Sequence, residues 1–172
     1  LVDAPARRTV VRVPSATALL TMRRQPTGGD QAATIGAMAG VSDQQGQPLE
    51  GARREVEWLA RRFRGVTVVL DPDSATSRMR RPAGSQHDVL HLAAHTEIDA
   101  QQPWASALVF DPGSAHTQVL AGSIADLELA ADLAVLTGCT SAGSAVLAGE
   151  GMLGLATGFL AAGVTEVLAT LW

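Results

Sequence analysis

The residue in this sequence best suited to covalent chemistry is Cys139, the only cysteine among 172 residues, and the residue best placed to activate it is His95. A thiol beside an imidazole forms a thiolate–imidazolium pair, which is a strong nucleophile near neutral pH, and the same imidazole can later protonate a leaving amine. Each residue follows a largely apolar run, Val89–Ala94, broken only by His91, before His95 and Leu133–Thr137 before Gly138 and Cys139. Such runs read as strands buried on both faces of a parallel sheet. Reacting groups in an open parallel sheet collect at the carboxyl ends of the strands, where the loops diverge. Both residues therefore fall on one sheet edge. Gly138, Thr140, Ser141, Gly143 and Ser144 around the thiol are small and let a substrate chain approach closely. The competing reading is structural: free cysteine is among the most buried residue types, and a histidine at a strand end is commonly a surface residue.

Other chemistry-bearing residues have a plainer use. His91 and His95 have HxxxH spacing, but on a strand, and Leu92 stands where a zinc helix needs Glu; His91 is expected to be buried and hydrogen-bonded, and no metal site is expected. His87 and His116 sit in loop-like sequence and are expected to be solvated. Gly149, Gly151 and Gly154 match GxGxxG, yet Thr140–Ala148 separates them from the preceding strand, so a dinucleotide site, the weakest of the functional readings, is disfavoured. Glu150 serves the dipole of the helix that follows, or reaches the cleft. Glu97 and Asp99 could orient His95 or hold a basic substrate group; as loop charges they need no such role. Trp104 could line a pocket or pack on the hairpin, Trp58 lies away from the centre of its helix's apolar stripe, and Arg78–Arg81 reads as a solvated helix end.

The elements that must position these residues alternate. Thr34–Ala39 is a strand candidate, and Leu49–Arg64 carries Leu49, Ala52, Val56, Leu59, Ala60 and Phe63 at helical spacing, with Pro48 near its start and Gly65 past its end. Val66–Leu70 is a β-branched strand, and Ser74–Arg81 a helix stopped by Pro82. Ala105–Phe110 and Thr117–Leu120 flank Asp111-Pro112-Gly113 as a hairpin. Ser123–Leu127 reads as a short helix capped by Ser123. Gly151–Ala162 is a buried helix closed by Gly163, and Glu166–Leu171 is the last strand. This order predicts an α/β fold with a mostly parallel sheet, helices on both faces and a β-hairpin insertion. Residues 1–30 read as an extended leading segment and loop of one domain spanning 1–172.

Composition excludes several classes. The net charge of −4 and an aromatic share of 3% disfavour a nucleic-acid surface built on basic patches and stacking rings. A single cysteine makes no internal disulfide, so the cytoplasm is the default compartment. The longest apolar stretch, Gly151–Val164, falls short of the roughly 20 residues a spanning helix needs, and Arg7, Arg8 and Arg12 break up any signal sequence. The start at Leu1 and the end at Trp172 in a strand-like run predict a piece of a longer protein.

Taken in order, Asp88-VLHLAAH-Thr96, Ser106-ALVF, Leu133-AVLTGC-Thr140, Gly149-EGMLGLATGFLAAGV-Thr165 and Val167-LATL-Trp172 resemble the CHAT family, caspase-like domains often appended to helical repeats. Pro48-LEGARREVEWL and Pro14-Ser15-Ala16 are similar to the family's first helix and to the segment before its sheet. The resemblance implies a caspase–separase type fold and a cysteine endopeptidase without cofactors. It assigns the Cys/His dyad to Cys139 and His95, an oxyanion hole to the backbone N–H groups of Thr96 and Cys139, and a cleft drawn from Glu97, Asp99, Trp104, Gly138, Thr140, Glu150 and Trp172. The implied partners are a peptide or protein substrate and a flanking repeat or regulatory domain. One departure stands out: the family usually has glycine after the histidine, and this chain has Thr96. If that position needs positive φ, a β-branched residue there costs on the order of 1–2 kcal/mol, and a lost oxyanion donor costs about a hundredfold in rate. A catalytically silent domain acting as a protein-interaction or regulatory module is the alternative.

Overall fold

The computed structural model describes residues 33–80, 87–99, 101–138 and 150–169; the leading segment over residues 1–30 lies outside them. Five short runs rich in Val, Leu and Ala form a parallel sheet: β1 (Ile35–Ala39), β2 (Val66–Val69), β3 (Val89–Ala93), β7 (Leu133–Leu136) and β8 (Glu166–Ala169), in the order β2-β1-β3-β7-β8. Between β3 and β7 the chain builds a second, antiparallel sheet from β4 (His95–Glu97), β5 (Ala107–Val109) and β6 (Gln118–Leu120). The β5–β6 hairpin turns at Asp111-Pro112-Gly113, as its turn residues require, and the Asp111 carboxylate accepts the Gly113 N–H at 2.9 Å. His95 thus opens a strand, where the sequence reads a loop.

One sheet face carries Met38, Leu90, Leu92, Ala134 and Leu136, buried under helices α2 (Pro72–Arg80), α3 (Ala121–Ala125) and α4 (Glu150–Ala161). The other carries Ala37, Ala39 and Ala93, covered by α1 (Glu50–Arg62) through Val56, Ala52 and Leu59. Strand alternation decides this division, since neighbouring residues point to opposite faces. The helices do lie on both faces, as the alternation of elements predicts.

Helix ends show where local chemistry overrides a simple pattern. Helix α2 starts two residues ahead of the expected Ser74, because Asp71 accepts the Ser74 N–H at 2.8 Å and Pro72 occupies the first turn. The Ser74 hydroxyl and N–H together hold the Asp71 carboxyl below its ordinary pKa. Helix α3 begins at Ala121, so Ser123 lies inside it and does not cap it. The Ala121 N–H is satisfied instead by the Ser106 carbonyl at 2.8 Å. Helix α4 closes as predicted at Gly163, which has φ of 106°. There the N–H groups of Gly163 and Val164 donate to Leu160 and Phe159 carbonyls at 3.2 and 3.1 Å, which is the Schellman pattern.

Candidate active site

Strand β3 ends at Ala93, the buried Ala94 makes the turn, and His95 begins β4 by pairing with Val109. The imidazole is consequently drawn inward: His95 is 8% exposed. Its Nε2 is buried and has no hydrogen-bond partner among the described residues. Thr96 Oγ1 and Thr137 Oγ1 are in the same state. Buried polar atoms are ordinarily paired; of the four orphans among the described residues, three gather at the carboxyl ends of β3 and β7, and the fourth, His87 Nδ1, lies before β3 at the other end of the sheet.

The chain leaving β7 comes directly to this place. The Thr137 N–H still donates to the Leu92 carbonyl at 3.0 Å, extending the β3–β7 ladder. At Gly138 an added Cβ would lie 2.8 Å from the Ala94 carbonyl oxygen and 2.7 Å from Thr96 Cγ2. Gly138 therefore packs against the residues on either side of His95. Cys139 and Thr140, which follow, and Trp172 lie outside the described residues.

The Thr96 backbone is not strained. No non-glycine residue among those described has positive φ, and Thr96 pairs with Leu108 in an ordinary antiparallel register. The direction of its N–H follows from the neighbouring ladder. Ala121 N–H donates to the Ser106 carbonyl, and Phe110 N–H donates to the Thr117 carbonyl. The even-numbered residues of β5 thus face β6, and the odd-numbered ones face β4. The β4 residues opposite the odd-numbered ones are His95 and Glu97, so the Thr96 N–H points away from β5.

The remaining candidates are placed unevenly. Glu97 shares a strand face with His95, and its Oε1 accepts from Gln44 Nε2 at 3.3 Å. Asp99 caps a turn by accepting the N–H groups of Gln101 and Gln102 at 2.9 and 2.8 Å. Trp104 is 51% exposed in the 3-10 turn Pro103–Ala105, which packs on α4 so closely that a Cβ on Gly154 would collide with the Pro103 carbonyl. Glu150 is the first residue of α4. His91 is buried and bonded to Glu55 Oε1 at 2.9 Å, and His116 is exposed. His87 is not solvated: it is half-buried, and an added Cβ on Gly36 would lie 2.6 Å from its Cδ2.

The carboxyl end of β1 is a neighbour that sequence reasoning missed. Gly40 N–H donates to the Ala93 carbonyl, Val41 N–H to the Phe110 carbonyl, and an added Gly40 Cβ would lie 3.3 Å from Ala94 Cα. A pocket of about 160 Å³ opens there between Gly40, Val41, Leu49, Glu50, Arg53 and Leu70. Its lining comes from the ends of β1 and β2 and the start of α1, on the side of β1 away from β3. The glycine after the Ile35–Ala39 run was the available signal.

A parallel sheet in this order, helices on both faces and a small antiparallel sheet inserted after β3 define a caspase-like α/β fold. The CHAT domain model matches residues 5–172, and the chain belongs to the CHAT family. No curated protein sequence matches the chain.

Proposed function

We propose that this domain is a cysteine endopeptidase in which Cys139 is the nucleophile and His95 its acid/base partner. The observation that carries the reading is Gly138, seated against Ala94 and Thr96 while His95 Nε2 stays buried without a partner among the described residues. Cys139 is one peptide unit further, about 3.8 Å between α-carbons. In the reaction His95 takes the thiol proton as sulfur bonds to the scissile carbonyl carbon. The Thr96 and Cys139 N–H groups stabilise the oxyanion, and His95 returns the proton to the departing amine. Water, deprotonated by the same imidazole, then hydrolyses the acyl-enzyme. The orientation of the Thr96 N–H away from β5 supports its part in this scheme.

The cytoplasm is the proposed compartment, on the ground that a single cysteine makes no internal disulfide; among the described residues no helix is long and apolar enough to cross a membrane. The substrate is a peptide or protein segment, and a flanking repeat or regulatory domain is the expected neighbour in a longer chain. Membership in a family whose fold serves peptidases and non-peptidases alike keeps the silent interaction module as a second reading. It is favoured by the near-complete burial of His95 and by Thr96 filling the space beside Gly138.

The deciding experiment treats the protein with a peptidyl acyloxymethyl ketone and follows intact mass. Peptidase action requires a single adduct on Cys139 whose formation slows at least about a hundredfold in His95→Ala. No adduct, or an adduct indifferent to His95, moves the domain to the silent class.

A further inference from the structure

We propose that the outer face of α1 is a docking surface for an acidic, apolar-anchored segment of a separate protein, a role independent of the peptidase reading. Helix α1 buries Val56 and turns Trp58 outward, and Trp58 is 52% exposed. Phe63, just past the helix end, is 47% exposed and meets Trp58 edge-on, with ring centroids 6.1 Å apart at 79°. The Arg62 guanidinium carbon lies 5.7 Å from the Phe63 centroid. A stacked guanidinium keeps its in-plane N–H groups available to a carboxylate. Exposed Trp beside Arg is the composition of interface hot spots, whereas Phe110 and Phe159 are fully buried.

Charge selects the occupant. Residues 50–64 hold five Arg and three Glu in a chain whose net charge is −4. Two of those Glu are already engaged: Glu57 with Arg53 and Arg61, and Glu55 with His91. Among the described residues, Arg54, Arg62 and Arg64 have no carboxylate within salt-bridge distance. Residues 1–32 carry five Arg against two Asp, so like charge opposes their lying on this face. A second copy has exposed carboxylates of its own at Asp73, Asp126, Glu128 and Glu166, and the test below distinguishes it as a dimer. A phosphate polymer is disfavoured because binding by counterion release needs a run of cations, and here three Glu interrupt it.

The test uses a fluorescein-labelled 18-residue helical peptide with Leu at every third or fourth position and Glu elsewhere, followed by anisotropy against the whole chain. Saturable, salt-sensitive binding is expected, weakened at least about tenfold by Trp58→Ser and by Arg62→Glu, unchanged in Cys139→Ala, and absent for the same peptide with Lys for Glu. Circular dichroism of each variant checks folding, and Arg62→Glu, wholly on the surface, carries the test if Trp58→Ser unfolds. The proposal is overturned by no saturable binding, or by binding that ignores both variants. It is equally overturned if phosphatidylserine vesicles or an oligonucleotide bind through Trp58 in preference to the peptide. Two further outcomes also overturn it: Trp58 already shielded from acrylamide before peptide is added, which means the chain covers its own patch, and a dimer that dissociates in Trp58→Ser.

Discussion

Gly138 has no room for a side chain because Thr96 stands against it, with Thr96 Cγ2 2.7 Å and the Ala94 carbonyl oxygen 2.8 Å from where a Cβ would be. Neither neighbour yields easily, since one is a β-branched side chain and the other is backbone. Gly138→Ala is therefore expected to push the β7 exit away from His95, lowering stability by about 1–3 kcal/mol. It should also abolish labelling of Cys139 by a peptidyl electrophile. Urea denaturation measures the first effect and intact mass the second; a stable, fully reactive Gly138→Ala would show that the two segments are not in register.

Thr96→Gly separates two explanations of the departure from the family's glycine. With ordinary φ at Thr96, glycine relieves no strain and instead removes a β-branched residue from a strand. The expected cost is about 1 kcal/mol of stability, with the rate of Cys139 labelling held within a few-fold. A rate increase of tenfold or more would mean that the Thr96 side chain, rather than its backbone, obstructs the site.

Burial holds the His87 imidazole below its ordinary pKa of 6.5, with Arg78 adding to the effect and Asp88 opposing it. A histidine with a depressed folded pKa takes up a proton more readily in the unfolded chain. Its contribution to stability is then complete above about pH 6.5 and declines as pH falls from there towards the folded value. Asp88, held low by the Thr34 N–H and hydroxyl, acts in a separate window: its contribution is present above 3.8 and lost as pH falls through its lower folded value. Urea midpoints between pH 5 and 8 should rise with pH in the parent and flatten in His87→Phe. Parallel curves for the two proteins would exclude His87 as the cause.

The His91–Glu55 pair joins α1 to β3 through a buried ring and a carboxylate that is 38% exposed. Removing Glu55 alone leaves an imidazole nitrogen unpaired inside the protein, which costs about 1–3 kcal/mol. Replacing both residues, as in Glu55→Ala with His91→Phe, should cost less than the two single losses combined. A double-mutant cycle measures the coupling, and additivity would show that the bond does not contribute. None of these variants should alter the reactivity of Cys139, because the pair lies on the α1 face and does not touch His95.

How far the fold was legible depended on how regular each pattern was. Helix α1 could be read because Ala52, Val56 and Leu59 repeat on one stripe over about two turns, and β3 and β7 because their short runs are apolar except for His91 in β3. Strand β4 could not, since His95, Thr96 and Glu97 are three polar residues with no period, and their pairing with β5 is a tertiary choice. Ser123 looked like a cap because caps are local signals, but the Ser106 carbonyl, distant in sequence, satisfied the helix start first. His87 read as solvated because a loop composition does not reveal that Gly36 leaves space for its ring. At the site, His95 and the approach of Gly138 follow from the two strand ends; the φ of Thr96 depends on the inserted sheet, which its side chain alone does not report.

Two helical glycines should respond to the same substitution with opposite signs. Gly51, in the first turn of α1, has ordinary φ and open space around it. Gly51→Ala should therefore stabilise the domain by about 0.5–1 kcal/mol through helix propensity and reduced freedom of the unfolded chain. Gly158 gains the same propensity, but its added Cβ would sit 2.6 Å from the Ala121 carbonyl oxygen, and a backbone atom at that distance must move. Overpacking of this kind costs about 1–3 kcal/mol, which exceeds the gain, so Gly158→Ala should destabilise. Gly154 faces the Pro103 carbonyl in the same way, and Gly154→Ala should additionally shift the turn that carries Trp104. Thermal denaturation of the three variants reads the signs directly. If Gly158→Ala and Gly51→Ala both raised the melting temperature, the close approach of α4 to α3 would be wrong, and with it the packing of α4 on the sheet.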